Sequence, residues 1–176
     1  MGTKLATARA IGANDRIRIG IIGAGARGQE DLKHAIAVPN VECVAMADVY
    51  TRRHDEVRRF VPKVEAYTNH HKLLERSDID AVIVASPLHL HELHFLDVLA
   101  AGKDLYSEKT MTWSIPEAVK CRDAAKRSSQ ITRKQPNAPV EIGYKSAVAV
   151  LMANISYREK RRVTLEEAPA YQPKYA

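Results

Sequence analysis

Three glycines near the start of the chain have the spacing of a phosphate-binding loop. Gly23, Gly25 and Gly28 form the pattern G-x-G-x-x-G directly after the apolar run IRIGII (17–22). Glycines at these positions permit a tight turn, let the backbone approach a pyrophosphate, and allow a helix to pack closely on a strand. The N–H groups at the start of the following helix, from Ala26 onward, add donors for phosphate oxygens. The chemistry expected here is the binding of a dinucleotide.

A carboxylate follows the glycines at the distance that a dinucleotide site requires. Asp48 stands twenty residues after Gly28, at the end of the apolar run VECVAMAD (41–48). From the end of a second strand, a carboxylate can accept hydrogen bonds from both hydroxyls of an adenosine ribose. The glycines alone are a weak signal, but strand, glycines, helix, strand and acid in this order predict a dinucleotide site.

The same residues bear on the choice between NAD and NADP. Asp48 would repel a 2′-phosphate, so the pattern favours NAD. Arg27 inside the loop, with Arg52 and Arg53 after the second strand, leaves NADP open, because a guanidinium can pair with that phosphate. An exposed first turn of a helix explains Arg52 and Arg53 at least as well.

Polar residues also follow two later apolar runs. The segment VASPLHLH (84–91) carries Ser86, Pro87 and His91, and the segment AAGKDLYSEKT (100–110) carries Glu108 and Lys109. With the glycine loop and the acid, these segments resemble the glucose–fructose oxidoreductase / inositol dehydrogenase (Gfo/Idh/MocA) family in order and spacing, over residues 17–130. The resemblance implies an oxidoreductase that transfers a hydride between NAD(P) and a sugar or polyol-like substrate.

The resemblance also assigns roles to individual residues. It implies that Ser86 and Pro87 line the nicotinamide side of the cofactor and that His91 matches the family's histidine. Glu108 and Lys109 match the family's EK pair, whose lysine contacts substrate and cofactor. A lysine at that place can polarise a substrate oxygen and ease its deprotonation, which makes Lys109 the candidate catalytic residue.

Histidine pairs raise the separate question of a metal site. His91 and His94 lie three residues apart, one residue short of the H-E-x-x-H zinc motif, and no third ligand is evident. His70 and His71 are adjacent and are expected to point to different sides. The sequence therefore predicts no metal.

Alternating elements must position these residues. Short β-branched runs alternate five times with helical patterns over residues 16–130, which predicts a doubly wound parallel sheet of the Rossmann α/β class. In such a sheet, ligands bind outside the carboxyl ends of the strands, where the glycines, Asp48, Ser86 and Lys109 would all lie.

The pattern changes outside this Rossmann domain. Residues 1–15 read as a flexible leader without a signal-peptide core, 131–139 as a linker, and 166–176 as a disordered tail. Residues 140–165 form a C-terminal helix and closing segment. This helical appendage has one apolar face, which needs a partner, at positions 144, 147, 148, 151, 152 and 155.

The resemblance ends where the family usually continues into a substrate-binding domain, so the chain reads as truncated. No histidine follows His94, and the acid–base partner of Lys109 is therefore not found. We expect an NAD(P)-binding oxidoreductase with little activity alone. An enzyme completed by a second chain docked on the 140–157 helix, and a non-catalytic NAD-binding or interaction module, stay open. An uncovered sheet edge predicts self-association.

Composition limits the other classes of function. The net charge of +6 is concentrated in two stretches, 120–134 and 158–162, which read as solvated helix faces. Aromatic residues make up only 6% of the chain, which argues against base-stacking platforms for single-stranded nucleic acid. No nucleic-acid partner is expected, and nucleic-acid binding through the two basic stretches is the last alternative that stays open. No apolar run approaches the roughly 18 residues of a membrane span. Cys43 and Cys121 are expected to be reduced thiols, and the predicted compartment is the cytoplasm.

Overall fold

The computed structural model describes residues 16–128 and 139–168. The strands are β1 (Ile17–Ile22), β2 (Val41–Ala47), β3 (Glu65–Tyr67), β4 (Ala81–Val84) and β5 (Asp104–Ser107). They pair in parallel in the order β3-β2-β1-β4-β5. This order is that of a Rossmann sheet, and it confirms the predicted doubly wound α/β fold. The chain reverses its direction of winding between β1 and β4.

Helices connect the strands and flank the sheet. They are α1 (Ala26–Ile36), α2 (Arg52–Arg58), α3 (His70–Leu74), α4 (His91–Ala100), α5 (Ile115–Arg127) and α6 (Val140–Glu159). α1 begins at Ala26, between the second and third glycines of the loop. Gly25 has an extended backbone and serves as its N-cap, so the helix starts inside the glycine loop.

Each face of the sheet has its own apolar core, because successive residues of a strand point to opposite faces. Ile21 of β1 belongs to a cluster with Leu32 of α1 and Val57 of α2. Ile22, the next residue along β1, belongs to a second cluster with Val98 of α4. Both faces are therefore covered, which explains why the central strands are almost continuously apolar.

The apolar face of α6 packs on α5 of the same chain. Ala147 lies in a cluster with Cys121 of α5, and Val148 lies in another with Ile115. This finding confirms that the face needs a partner and identifies that partner as α5. The interpretation in which α6 docks a second chain through this face is wrong, because the face is already covered.

The boundaries of the outer segments are tested only in part. α5 ends at Arg127, close to the predicted domain end at 130. The leader 1–15, nearly all of the linker 131–139 and the tail from 169 lie outside the described residues. Ala168, which the prediction assigned to a disordered tail, is fully buried and packs in the cluster of Ile115 and Val148. Over residues 16–128 and 139–168, no helix is long and apolar enough to cross a membrane.

Candidate functional site

Two of the three loop glycines are required by the backbone around them. Gly23 has a φ of +88°, and a Cβ there would lie 2.5 Å from the backbone nitrogen of Ser86. A Cβ on Gly28 would lie 2.1 Å from the carbonyl oxygen of Gly23. No side chain fits either place, so the turn after β1 and the start of α1 pack closely only with glycine.

Gly25 differs, because the space above it is open. A Cβ built on Gly25 would meet no atom within 4 Å. α1 has no capping side chain and no acidic residue in its first turn, so the helix supplies no counter-charge of its own to its positive end. Open space beside uncapped N–H groups is what a pyrophosphate requires, and the loop therefore fits a dinucleotide.

Asp48 is held at the carboxyl end of β2 by backbone donors. Its Oδ2 accepts a hydrogen bond from the N–H of Ala24 at 2.7 Å, and its Oδ1 accepts one from Tyr50 at 2.8 Å. The carbonyl oxygen of Asp48 lies 2.9 Å from Nε2 of the buried His54. The carboxylate is thus fixed next to the glycine loop, and His54 is a supporting residue that sequence reasoning missed.

The two arginines that follow Asp48 are paired with one carboxylate. Glu56 Oε2 lies 2.6 Å from Arg53 Nη1, and Glu56 Oε1 lies 3.4 Å from Arg52 Nε. Gln29 donates a further hydrogen bond to Glu56 at 2.8 Å. The hydrogen bonds from Arg53 and then Gln29 lower the pKa of the Glu56 carboxyl, so it stays ionised beside both guanidinium groups.

A cleft lies at the carboxyl ends of β1, β2 and β4, where the winding reverses. Six residues considered in the sequence analysis line it: Gly23, Asp48, His70, Ser86, Pro87 and His94. Leu90, which was not considered, lines it as well. The structure therefore brings together four predicted cofactor residues from three separate segments.

Of the two histidines on α4, His94 lines this cleft and His91 does not. His94 Nδ1 lies 2.9 Å from Ser86 Oγ. Burial, followed by the neighbouring His70, lowers the pKa of His94 to about 4, so its ring is neutral near neutral pH. Sequence reasoning considered His94 only as a metal ligand, although the first turns of the helix after β4 are where cleft residues are expected.

His91 joins two loops instead. It is 2% exposed, its Nε2 lies 2.8 Å from the carbonyl oxygen of Ser86, and its Nδ1 lies 2.9 Å from that of Thr110. The ring thus ties the turn after β4 to the turn after β5. Its assignment to the cofactor stays a prediction.

The half-exposed Arg27 pairs with two buried acids, Glu108 and Asp31. Arg27 Nη2 lies 2.9 Å from Glu108 Oε1 and 2.9 Å from Asp31 Oδ1. Burial raises the pKa of Asp31, and the nearby Glu108 raises it further. Burial acts in the same direction on Glu108, but hydrogen bonds from Arg27, the Lys109 N–H and Tyr106 outweigh it and lower the pKa of Glu108. The predicted cofactor roles of Arg27 and Glu108 remain predictions.

Lys109 has an exposed side chain at the end of this network. Its backbone N–H lies 3.2 Å from Glu108 Oε2. Within the described residues, no hydrogen bond or ion pair engages its ammonium group, in contrast to Arg27 next to it. The ammonium group of Lys109, which follows the carboxyl end of β5, is therefore not neutralised by any described residue, and its catalytic role stays a prediction.

His70 and His71 differ from the expectation that they point to different sides. His70 Nε2 lies 2.8 Å from Asp97 Oδ2, and His71 Nε2 lies 4.0 Å from the same oxygen. The prediction was wrong because both residues lie at the start of α3, where their rings stack at a centroid distance of 4.1 Å and face α4 together.

Comparisons with known proteins agree with this geometry. Residues 17–134 match the sequence model of GFO_IDH_MocA, described as an oxidoreductase family with an NAD-binding Rossmann fold. A glycosyl hydrolase family 109 protein of Shewanella pealeana is 31% identical over 125 residues, which are 66% of this chain and 27% of that protein. Inositol 2-dehydrogenase of Klebsiella pneumoniae is 30% identical over 119 residues, which are 65% of this chain and 34% of that protein.

A solved structure is also similar to this chain over about the same share of its length. KijD10, a 3-ketoreductase from Actinomadura kijaniata in complex with NADP, is 31% identical with a TM-score of 0.59. The similarity covers 64% of this chain and 36% of KijD10. The chain thus spans only about a third of the length of these proteins, and what it shares with them is the cofactor-binding domain. Its loop, its acid and the match over residues 17–134 establish that the chain belongs to the Gfo/Idh/MocA oxidoreductase family, through an NAD-binding Rossmann domain.

Proposed function

We propose that the chain binds NAD(H) and takes part in hydride transfer with a sugar or polyol-like substrate, with Lys109 at the reacting oxygen. One observation carries the proposal: the open phosphate loop, the fixed Asp48 carboxylate and Lys109, whose ammonium group has no partner among the described residues, all follow the carboxyl ends of strands of one parallel sheet. The dinucleotide supplies or accepts the hydride, and the chain binds it, orients it and provides the polar group beside the substrate oxygen.

NAD is the preferred cofactor. A 2′-phosphate would have to approach Asp48, whose carboxylate is held in place by two backbone N–H groups. The guanidinium groups that would offset this repulsion already have partners, Glu56 for Arg52 and Arg53, and Glu108 for Arg27. Releasing Arg27 to bind a phosphate would leave buried Glu108 without its cation, and releasing Arg53 would remove the shorter of the two ion pairs of Glu56.

Lys109 acts on the substrate oxygen. An ammonium group beside an alcohol stabilises the negative charge that develops as the hydroxyl proton leaves, and in the reverse direction it polarises the ketone. The names of the inositol 2-dehydrogenase and the 3-ketoreductase are those of enzymes for alcohol and ketone chemistry. Inositol and simple sugars are therefore the first substrates to test.

A dinucleotide-binding module without turnover is the second candidate. Glu108, the carboxylate next to Lys109, is buried and paired with Arg27, and both ring nitrogens of His91 lie within 2.9 Å of carbonyl oxygens. Neither group is placed to accept a proton from a substrate. A base supplied from elsewhere is then required for turnover.

Self-association is a related proposal. β5 forms one edge of the described sheet, and Tyr106 on it and Trp113 close to it are more than half exposed. An open edge with aromatic side chains offers a surface to a second copy. Light scattering that gives a monodisperse monomer at high protein concentration would contradict this.

The first experiment is a titration with NADH and with NADPH, followed by energy transfer from Trp113, the single tryptophan of the chain. We expect saturable NADH binding that is tighter than NADPH binding. Asp48→Asn should weaken NADH binding about tenfold or more, a loss of about 1.4 kcal/mol. Its amide oxygen can still accept the hydrogen bond from the Ala24 N–H, but the negative charge beside the ribose hydroxyls is removed. Asp55→Ala is the matched control, since Asp55 is an exposed acid on the following helix.

A second arm separates binding from turnover. Formation of NADH from NAD is followed with inositol and simple sugars, for the unaltered chain and for Lys109→Met. Turnover that is lost in Lys109→Met while NADH still binds supports the catalytic proposal. Binding without turnover on any of these substrates favours the second candidate, and no binding of either dinucleotide contradicts both.

A further inference from the structure

The strongest cluster outside the cofactor cleft joins α3 to α4. We propose that His70, His71 and Asp97 form a binding site for one divalent transition-metal ion of the kind that imidazole and carboxylate ligands hold, such as Zn²⁺ or Co²⁺. One ligand atom from each of the three residues lies within 4.8 Å of the other two. The inference goes beyond the proposed function and depends on different residues, apart from His70, which also lines the cleft.

The distances from the two imidazoles to Asp97 are close to those of ligands on a bound ion. On a tetrahedral zinc ion with bonds of about 2.0 Å, neighbouring ligand atoms lie about 3.3 Å apart. The two histidine Nε2 atoms lie 2.8 Å and 4.0 Å from Asp97 Oδ2, one shorter and one longer than this value. Small rotations of the side chains would make both distances equal to it.

The scaffold holds these ligands on two packed helices. Asn69 caps α3 by accepting a hydrogen bond from the His71 N–H at 2.9 Å, which fixes the start of the helix. Leu73 of α3 and Val98 of α4, which follows Asp97 directly, are fully buried in one apolar cluster. Ligands on rigid elements are held with the precision that a metal site requires.

Stabilisation of the fold explains the contact of His70 with Asp97 but not the position of His71. The hydrogen bond between His70 and Asp97 ties α3 to α4 and satisfies one oxygen of the carboxylate. His71 is too far from that oxygen for a hydrogen bond, yet its ring faces it and stacks on His70. A second imidazole at this place adds little to the fold but completes a set of three ligands.

The site also has an entrance. The side chain of His71 is 58% exposed and that of Asp97 is 25% exposed, whereas that of His70 is 15% exposed. An ion can therefore reach the three ligands from solvent, and a water molecule can take a fourth position. Because His70 also lines the cofactor cleft, the ion would lie next to the cleft.

The test is a titration of the full chain, without a polyhistidine tag, with CoCl₂ followed by the visible absorption of bound Co²⁺. We expect one saturable Co²⁺ per chain, displaced by ZnCl₂. Removal of an outer-shell partner lowers metal affinity roughly tenfold, and removal of a direct ligand should lower it further. His71→Ala and Asp97→Asn should therefore each weaken Co²⁺ binding by more than about tenfold. His89→Ala, which alters an exposed histidine outside the cluster, is the matched control.

The variants separate loss of the metal ligands from loss of the fold. His71 is exposed, so His71→Ala should unfold in urea with the same midpoint as the unaltered chain in the presence of a chelator, and Asp97→Asn serves as the second variant. No saturable Co²⁺ binding by the unaltered chain would overturn the proposal. Binding that is unchanged in His71→Ala, or that is lost equally in His89→Ala, would also overturn it.

Discussion

The guanidinium of Arg27 and the carboxylate of Glu108, which are 81 positions apart in the chain, are joined by a hydrogen bond of 2.9 Å. The same guanidinium nitrogen lies 2.9 Å from Asp31 Oδ1. One cation from the glycine loop thus serves two buried acids, one on its own helix and one at the end of β5. This pairing fixes the position of the residue before Lys109.

Arg27→Met should lower the midpoint of urea unfolding, because it leaves Glu108 and Asp31 buried without their cation. The Oδ2 atom of Asp31 is buried and already has no hydrogen-bond partner among the described residues. Adding Asp31→Asn to Arg27→Met should therefore recover part of the loss by removing one of the two uncompensated charges. Arg52→Met is the control, since Arg52 is exposed and lies 3.4 Å from its partner. Equal midpoints for Arg27→Met and Arg52→Met would contradict the role of the network.

Gly28→Ala should mainly lower the stability of the chain, whereas Gly25→Ala should mainly weaken cofactor binding. A Cβ at Gly28 collides with the carbonyl oxygen of Gly23, so the free energy of unfolding should fall by about 1–3 kcal/mol or more. Gly25→Ala should lower it by less than about 1 kcal/mol, the size of an N-cap preference, because the space above Gly25 is open. Urea unfolding checks both values.

Gly25→Ala should weaken NADH binding in the titration, since its methyl group occupies the space expected for phosphate. Unchanged NADH binding would argue against that position for the cofactor.

His94 should make the chain less stable as the pH falls. Its pKa is about 4 in the folded chain against a usual 6.5, so the unfolded chain takes up the proton first. The contribution of His94 to the free energy of unfolding is fully present above pH 6.5 and is lost as the pH falls towards about 4. The loss should reach at most about 3 kcal/mol. It is measured by urea unfolding across this range for the unaltered chain and for His94→Asn, which does not titrate there. Parallel pH curves for the two proteins would show that the buried ring does not contribute.

Cys43 and Cys121 should not react with a thiol reagent in the folded chain. They are the only cysteines of the sequence, and they are 5% and 0% exposed. Burial raises the pKa of both thiols to about 12, so at neutral pH neither forms the reactive thiolate. Both should react in urea, which makes labelling a direct measure of unfolding. Labelling of the folded chain at the rate of a free cysteine would contradict the packing of β2 or of α5.

The sheet and the glycine turn could be predicted from sequence because local patterns determine them. The apolar runs mark the strands, and the positive φ of Gly23 and the crowding at Gly28 are what the G-x-G-x-x-G spacing implies. The start of α5 is local as well: Ser114 and Glu117 form a reciprocal capping box. At such positions the decisive neighbours are a few residues away.

The partners of the charged and imidazole groups could not be predicted in this way. Whether Arg27 meets a cofactor phosphate or Glu108 depends on where β5 ends, and whether His70 and His71 diverge depends on Asp97 of another helix. His91 and His94 lie on the same helix, yet one faces two carbonyl groups and the other faces the cleft. These outcomes depend on tertiary neighbours, which the periodicity of the sequence does not specify.

The contact between Gly23 and Ser86 has a consequence for how a ligand enters. β1 and β4 pair in register up to Ile22 and Val84, and immediately beyond them the two loops meet main chain against main chain. No side chain lies between them that could change rotamer and widen or narrow the gap. The spacing of these two loops is therefore set when the two strands pair, before any ligand is present. A ligand enters a preorganised gap, so little backbone entropy is lost at this point on binding.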